Sequence, residues 1–220
     1  MPPLDPGSDS VPEPLLIDRN PLPASIGGDL RRQLTFVVEV DRMKAVLRQS
    51  PVAATERREN DAEHSWHLAL MALVLAEHAD EPVDRGRVVE LLVLHDLVEV
   101  YAGDVSVHDV AARAAQAVRE VQAADRLYGL LPDEQGRRLR AAWEEFEAGA
   151  TPEARFARGL DRLQPLLLSW MAGGGRWPDE GVTADSIRGL LGAIGASSAS
   201  LGAAAEELIA ESDRRGYFRG

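Results

Sequence analysis

The chain reads as an all-α protein, a bundle of about seven helices, because apolar residues recur at three- and four-residue spacing in its long segments. Two further observations support this. No stretch shows the strict apolar/polar alternation of a half-buried strand. Two helix starts are also written in side-chain chemistry, Asn60-Asp61-Ala62-Glu63 as a capping box and Thr151-Pro152-Glu153 as an N-cap with proline at the first helical position.

Residues 1–27 hold several prolines among acidic and small residues, the composition of a disordered tail, and residues 28–215 read as a single domain. Leu30 to Arg48 carries Leu34, Phe36, Val37, Val40, Met43 and Leu47 at helical spacing, and Ser50-Pro51 ends that helix. Pro51 to Arg58 reads as a loop. The next helix starts at Asn60 and stops before Glu81-Pro82. On it His64, Leu68, Met71 and Leu75 form one stripe, so His64 points to the core, while His67 lies at the rim of the same face.

Residues 88–104 are the chain's centre. Val88 to Val100 is apolar nearly all round, the mark of a helix buried on every side. Into it are set His95, Asp96 and Glu99, and buried ionisable groups are costly unless paired or bound to metal. On a helix these three converge, and Gly103 ends it just before Asp104.

Val105 to Leu131 contains an Ala-rich amphipathic helix with Val110, Ala114, Val118, Val121 and Leu127 on one side. After Pro132, Leu139, Trp143 and Phe146 mark a shorter helix whose Glu144, Glu145 and Glu147 read as a solvated face. The helix from Thr151 packs Phe156, Leu160, Leu163 and Leu167, with Asp161 set among the leucines and Pro165 four residues on. Gly173-Gly174-Gly175 ends it. Helices from Thr183 to Ile194 and from about Leu201 to Arg214 close the domain, in a region (183–215) without nameable chemistry.

Composition narrows the function. There are 24 basic and 36 acidic residues, a net charge of −12, which argues against a nucleic-acid binder. No apolar run approaches a membrane span. The absence of cysteine excludes disulfides and thiolate chemistry and fits a cytoplasmic location. His64, His95, Asp96 and Asp161 come from three helices. Two imidazoles and two carboxylates suit one divalent cation with coordination positions left open for water and substrate.

The motifs Glu63-His64-Ser65-Trp66, His95-Asp96-Leu97-Val98-Glu99, Gly103-Asp104 and Leu160-Asp161-Arg162-Leu163 occur in this order, and Trp143 to Glu147 and Thr151 to Phe156 accompany them. Together they resemble the HD-domain metal-dependent phosphohydrolases, most closely the branch containing the 5′-deoxynucleotidases, over roughly residues 30–180. The resemblance implies a helical HD domain with His64, His95, Asp96 and Asp161 as metal ligands and Glu99 and Asp104 serving catalysis. It also implies an arginine shortly before the first motif on the phosphate. Arg57 fits that spacing best and Arg58 next. His67, by its place at the rim of the His64 face, is either a substrate-side residue or a plain surface histidine. The expected partner is a small nucleotide, and the resemblance suggests a homodimer. The metal is one of Mn, Co, Fe, Ni, Zn or Mg, which imidazole and carboxylate accept to differing degrees.

The implied function is phosphate release from (deoxy)nucleoside monophosphates. The alternatives are hydrolysis of another phosphoester, such as a nucleoside triphosphate, a cyclic nucleotide or a specialised metabolite, and nucleotide binding without catalysis. One departure stands out. The deoxynucleotidases carry a tryptophan before the first motif that helps exclude ribonucleotides, whereas residues 49–52 here are Gln-Ser-Pro-Val. The expected preference for deoxy over ribo substrates is therefore weak, below ~100-fold in kcat/KM.

Overall fold

The computed structural model describes residues 14–55, 57–103 and 110–218, without the side chains of 110–115, 180 and 190. Its helices are α1 (Gly28–Glu39), α2 (Asp61–Leu75), α3 (Arg85–Leu94), α4 (Glu99–Ala102), α5 (Val110–Tyr128), α6 (Asp133–Ala148) and α7 (Pro152–Met171), followed by α8 (Trp177–Glu180), α9 (Ala184–Leu190), α10 (Gly192–Gly195) and α11 (Ala199–Arg214). The all-α class holds, with more and shorter helical pieces than expected. One small antiparallel pair interrupts it: β1 (Leu47–Pro51) and β2 (Arg58–Asn60), with a register irregularity between its ends. Among the described residues no helix is long and apolar enough to cross a membrane.

Both chemically marked starts form as read. The Asn60 side chain accepts from Glu63 N at 3.0 Å and the Glu63 carboxylate accepts from Asn60 N at 3.1 Å. Thr151 Oγ1 accepts from Ala154 N at 3.1 Å. The helix from Thr151 continues through Pro165 and lies at the centre, packing on α2, α3, α6, α10, α11 and β1. Its close approach to α10 needs Gly159, where a Cβ would lie 3.3 Å from Ala193 O of α10 and 2.7 Å from Ser197 Oγ just beyond it.

Several expectations need correction. The helix expected over Leu30–Arg48 ends at Glu39. A 3-10 segment (Val40–Ala45) follows, and pairing with β2 draws residues 47–51 out as a strand, so tertiary context overrides local propensity. Of the tail expected over residues 1–27, residues 1–13 lie outside the described residues, and residues 14–27 lie against α1. They contain a 3-10 turn (Leu16–Arg19), Leu16 N donates to Glu39 Oε2 at 2.7 Å, and Arg31 donates to the carbonyls of Leu22, Pro23 and Ile26. On α5, Leu127 is buried as expected, but Val118 and Val121 are exposed and Ala123 and Ala124 are buried in their place, while the side chains of Val110 and Ala114 lie outside those described. Glu145 is not merely solvated, since it accepts from Arg87 of α3 and from Thr151 Oγ1, tying α3 and the start of α7 to α6.

The stretch expected as one helix from Val88 to Val100 is two helices joined by a tight turn. After His95 the backbone bonds shorten to three-residue spacing, with Leu97 N donating to Leu94 O and Glu99 N to Asp96 O. Three-residue winding eclipses side chains three apart, so Asp96 and Glu99 come to lie together. Gly103 then caps α4 at φ +72°, a conformation that glycine adopts without strain. The Glu39 carboxylate braces this region: it accepts from Tyr101 Oη of α4 at 2.9 Å and from Arg42 Nε at 2.6 Å.

Candidate metal centre

Four side chains from three parts of the fold meet under the surface. His64 comes from α2, His95 and Asp96 from the turn after α3, and Asp161 from α7, and none is more than 9% exposed. His64 Nε2 lies 3.2 Å from Asp161 Oδ1 and 3.8 Å from Asp96 Oδ2. His95 Nε2 lies 3.0 Å from Asp96 Oδ2 and 3.6 Å from Asp161 Oδ1. Both Nε2 atoms and both carboxylates thus face one point. The other nitrogen of His95 is fixed by the Leu92 carbonyl at 2.8 Å, an arrangement that presents Nε2 as a ligand.

Electrostatics bind the cluster together. Burial and the Arg48 charge press the His64 pKa down, yet its bond to Asp161 and the facing carboxylates of Glu59 and Asp96 leave it raised. Burial also opposes charge on His95, but Asp96 and Asp161 push it up to about 10. Burial alone would raise the two aspartates. The cations around them, His95 and Arg48 for Asp96 and the two histidines for Asp161, hold both below the usual carboxylate range. Mutually facing acids and imidazoles of this kind fit a divalent cation, which would replace the imidazole protons as the acids' counter-charge.

Sequence reasoning missed Arg48. On β1, side chains alternate, so Arg48 and Ser50 turn inward while Gln49 is exposed. Arg48 Nη1 donates to Asp96 Oδ2 at 2.6 Å and to Asp61 Oδ1 at 3.3 Å. Burial works against its charge, but Asp96, Asp161, Glu99 and Asp61 together keep it firmly protonated. Arg57 and Arg58, the arginines the resemblance implies for phosphate, do not reach the cluster. Arg57 is exposed and forks onto Glu63 at 2.6 and 2.8 Å. Arg58 donates to the carbonyls of Arg48 and Leu47, holding the strand pair. A signal for Arg48 was available only in strand alternation, and a strand so short and irregular leaves no clear pattern.

Glu99 opens α4 half-buried, and Asp61, Asp96 and Glu99 offer carboxylate oxygens within 4.8 Å of one another. His67 is held by Gln164 Nε2, 3.2 Å from its Nδ1, outside the four-residue cluster. Trp66 is exposed and stacked on His67. Asp104 lies outside the described residues.

The sequence pattern of the HD domain matches residues 40–198. Over 149 residues the chain is 32% identical to 5′-deoxynucleotidase HDDC2 of Bos taurus, covering 67% of this chain and 71% of that protein. It is 30% identical over 142 residues to 5′-deoxynucleotidase HDDC2 of Homo sapiens, covering 64% and 68%. A crystal structure of a "predicted metal-dependent phosphohydrolase" from Magnetospirillum magnetotacticum MS-1 matches with a TM-score of 0.83 at 50% identity, over 87% of this chain and 96% of that one.

Proposed function

The chain belongs to the HD-domain family, and from that membership we infer that it is a metal-dependent phosphohydrolase releasing phosphate from nucleoside 5′-monophosphates, deoxynucleotides among them. One observation carries the reading beyond family membership. Two imidazoles and two carboxylates converge from three elements, and the Arg48 guanidinium lies against them. A closed structural metal site has no use for such a cation, whereas a site for a charged phosphoryl group does.

His64, His95, Asp96 and Asp161 would hold the divalent cation. When bound, it supplies Lewis acidity, which acidifies water and offsets phosphate charge. Arg48 draws the phosphoryl oxygens toward the cluster and fixes the phosphorus in line with the attacking water. Glu99, beside Asp96, takes a proton from that water as its oxygen bonds to phosphorus. The bond from phosphorus to the ester oxygen then breaks, and that oxygen leaves with a proton. By the resemblance to the deoxynucleotidases, Asp104 assists that leaving oxygen or positions the water.

The test is phosphate release from a panel of nucleoside monophosphates, using metal-stripped protein with each divalent cation restored in turn. Turnover should return with at least one cation. Asp161→Ala should lose metal and activity together. Glu99→Ala should keep its metal and lose turnover by about 10²–10⁴-fold, the usual worth of a positioned general base. Silence across every cation and substrate would overturn the assignment and leave a nucleotide-binding protein without catalysis.

A further inference from the structure

Glu59, in β2, is 3% exposed and is neither a proposed metal ligand nor a proton carrier. A carboxylate buried so completely needs partners that repay its lost hydration. One oxygen has such a partner: Oε2 accepts from Gln164 Nε2 of α7 at 2.9 Å. The other faces the back of the metal centre, on the side of His64 away from the aspartates. Oε1 lies 3.5 Å from His64 Nδ1 and 3.9 Å from Arg48 Nε. All three atoms are buried, and each falls short of hydrogen-bond geometry. Two donors and one acceptor, all shielded from water and facing one another, form a set that only mutual bonding satisfies.

The two histidines of the cluster are therefore supported differently. His95 leans on a backbone carbonyl, while the Nδ1 of His64 faces a carboxylate. A carboxylate behind an imidazole fixes its tautomer and makes the opposite nitrogen a stronger ligand. The same oxygen also faces Arg48, whose far end reaches Asp96. Gln164 fixes Glu59 from α7, the helix that supplies Asp161, and the Arg58 bonds to the Leu47 and Arg48 carbonyls hold the strands beneath it.

We propose that Glu59 is a positioning residue that orients the metal ligand His64 and the phosphate-facing Arg48 through one carboxylate oxygen. This rests on the reading of the cluster as a phosphohydrolase centre. Its consequence is coupling, since loss of Glu59 loosens the cation and the nucleotide together.

The experiment compares the full-length wild type with Glu59→Gln, a near-isosteric change that keeps the contact volume. Divalent-cation affinity is measured by competition with a chelator, alongside the visible spectrum of the Co²⁺ form and KM and kcat for a nucleoside monophosphate. Glu59→Gln should bind the cation about 10–100-fold more weakly, the usual effect of removing such a support. Its Co²⁺ bands should shift, and KM should rise by more than kcat falls. An unchanged affinity and spectrum in the folded variant would overturn the proposal, as would a loss confined to the melting temperature of the metal-free protein. Should the variant not fold, the wild type decides. In the metal-loaded protein, ¹⁵N NMR should show His64 protonated at Nδ1, and protonation at Nε2 instead would overturn the idea. A wild type that binds cation and turns over normally beside an unaffected variant sinks this proposal alone. A wild type that does neither sinks the hydrolase reading with it.

Discussion

Arg48 is held between Asp96 and Asp61 with its charge already matched by acids, so it is pre-oriented without being spent on the surface. Arg48→Ala should lower kcat/KM by about 10–100-fold, mostly through KM, the scale of hydrogen bonds to a charged group. Arg57→Ala should change it by less than about twofold, because the Arg57–Glu63 pair is exposed. Steady-state kinetics on the two variants separate the candidates, and equal losses would return Arg57 to the site. His95 makes a second expectation. Its pKa is raised from 6.5 to about 10 in the metal-free fold. A histidine raised in this way stabilises the fold fully below its unfolded value and loses that contribution as pH climbs through the folded one. Metal-free protein should therefore melt progressively lower between pH 7 and pH 10. A cation must displace the same proton, so its affinity should rise with pH and binding near pH 7.5 should release protons. Calorimetry in buffers of differing ionisation enthalpy measures that release, and a buffer-independent heat would contradict it.

Among the elements, those announced by local chemistry were the readable ones. Asn60 with Glu63 and Thr151 with Pro152 mark their helices because a cap is made by neighbours in sequence. The convergence of His64, His95, Asp96 and Asp161 was legible for a related reason: ionisable groups set in apolar stripes are anomalous unless they meet. The β1–β2 pair was not legible, since three- and five-residue strands with irregular register leave no alternating signature. Arg48 was missed with it, because a residue read as the end of a helix has no predictable inward face. The tight turn at 95–98 was hidden too, as an apolar run says nothing about whether its bonds span three or four residues. Glu39 shows what such tertiary features are worth. It is fully buried at the end of α1, pairs with the largely buried Arg42 and takes the Tyr101 hydroxyl of α4. Glu39→Ala should destabilise the protein by about 3–5 kcal/mol, the cost of leaving a buried charge without its partner. Urea unfolding of the metal-free form checks this, and a loss below 1 kcal/mol would mean Arg42 simply turns to solvent.

Across the whole molecule, the cluster draws together α2, the turn after α3, and α7, parts of the chain far apart in sequence but adjacent in space. Five carboxylates, Glu59, Asp61, Asp96, Glu99 and Asp161, crowd there in a chain whose net charge is already −12. A cation present at about a thousand times its dissociation constant should add roughly 4 kcal/mol to stability. How that energy divides between the rates of unfolding and refolding follows from the layout. A knot tied among distant segments forms only after those segments have docked, so it is absent from the transition state for folding. Stabilisation of that kind acts almost wholly on the way out. Loaded protein should refold at nearly the metal-free rate but come apart several hundred times more slowly, which stopped-flow unfolding with and without chelator would measure. The centre would then serve as a latch on the native state, and chelation alone would expose the chain to proteolysis on a timescale the loaded protein survives.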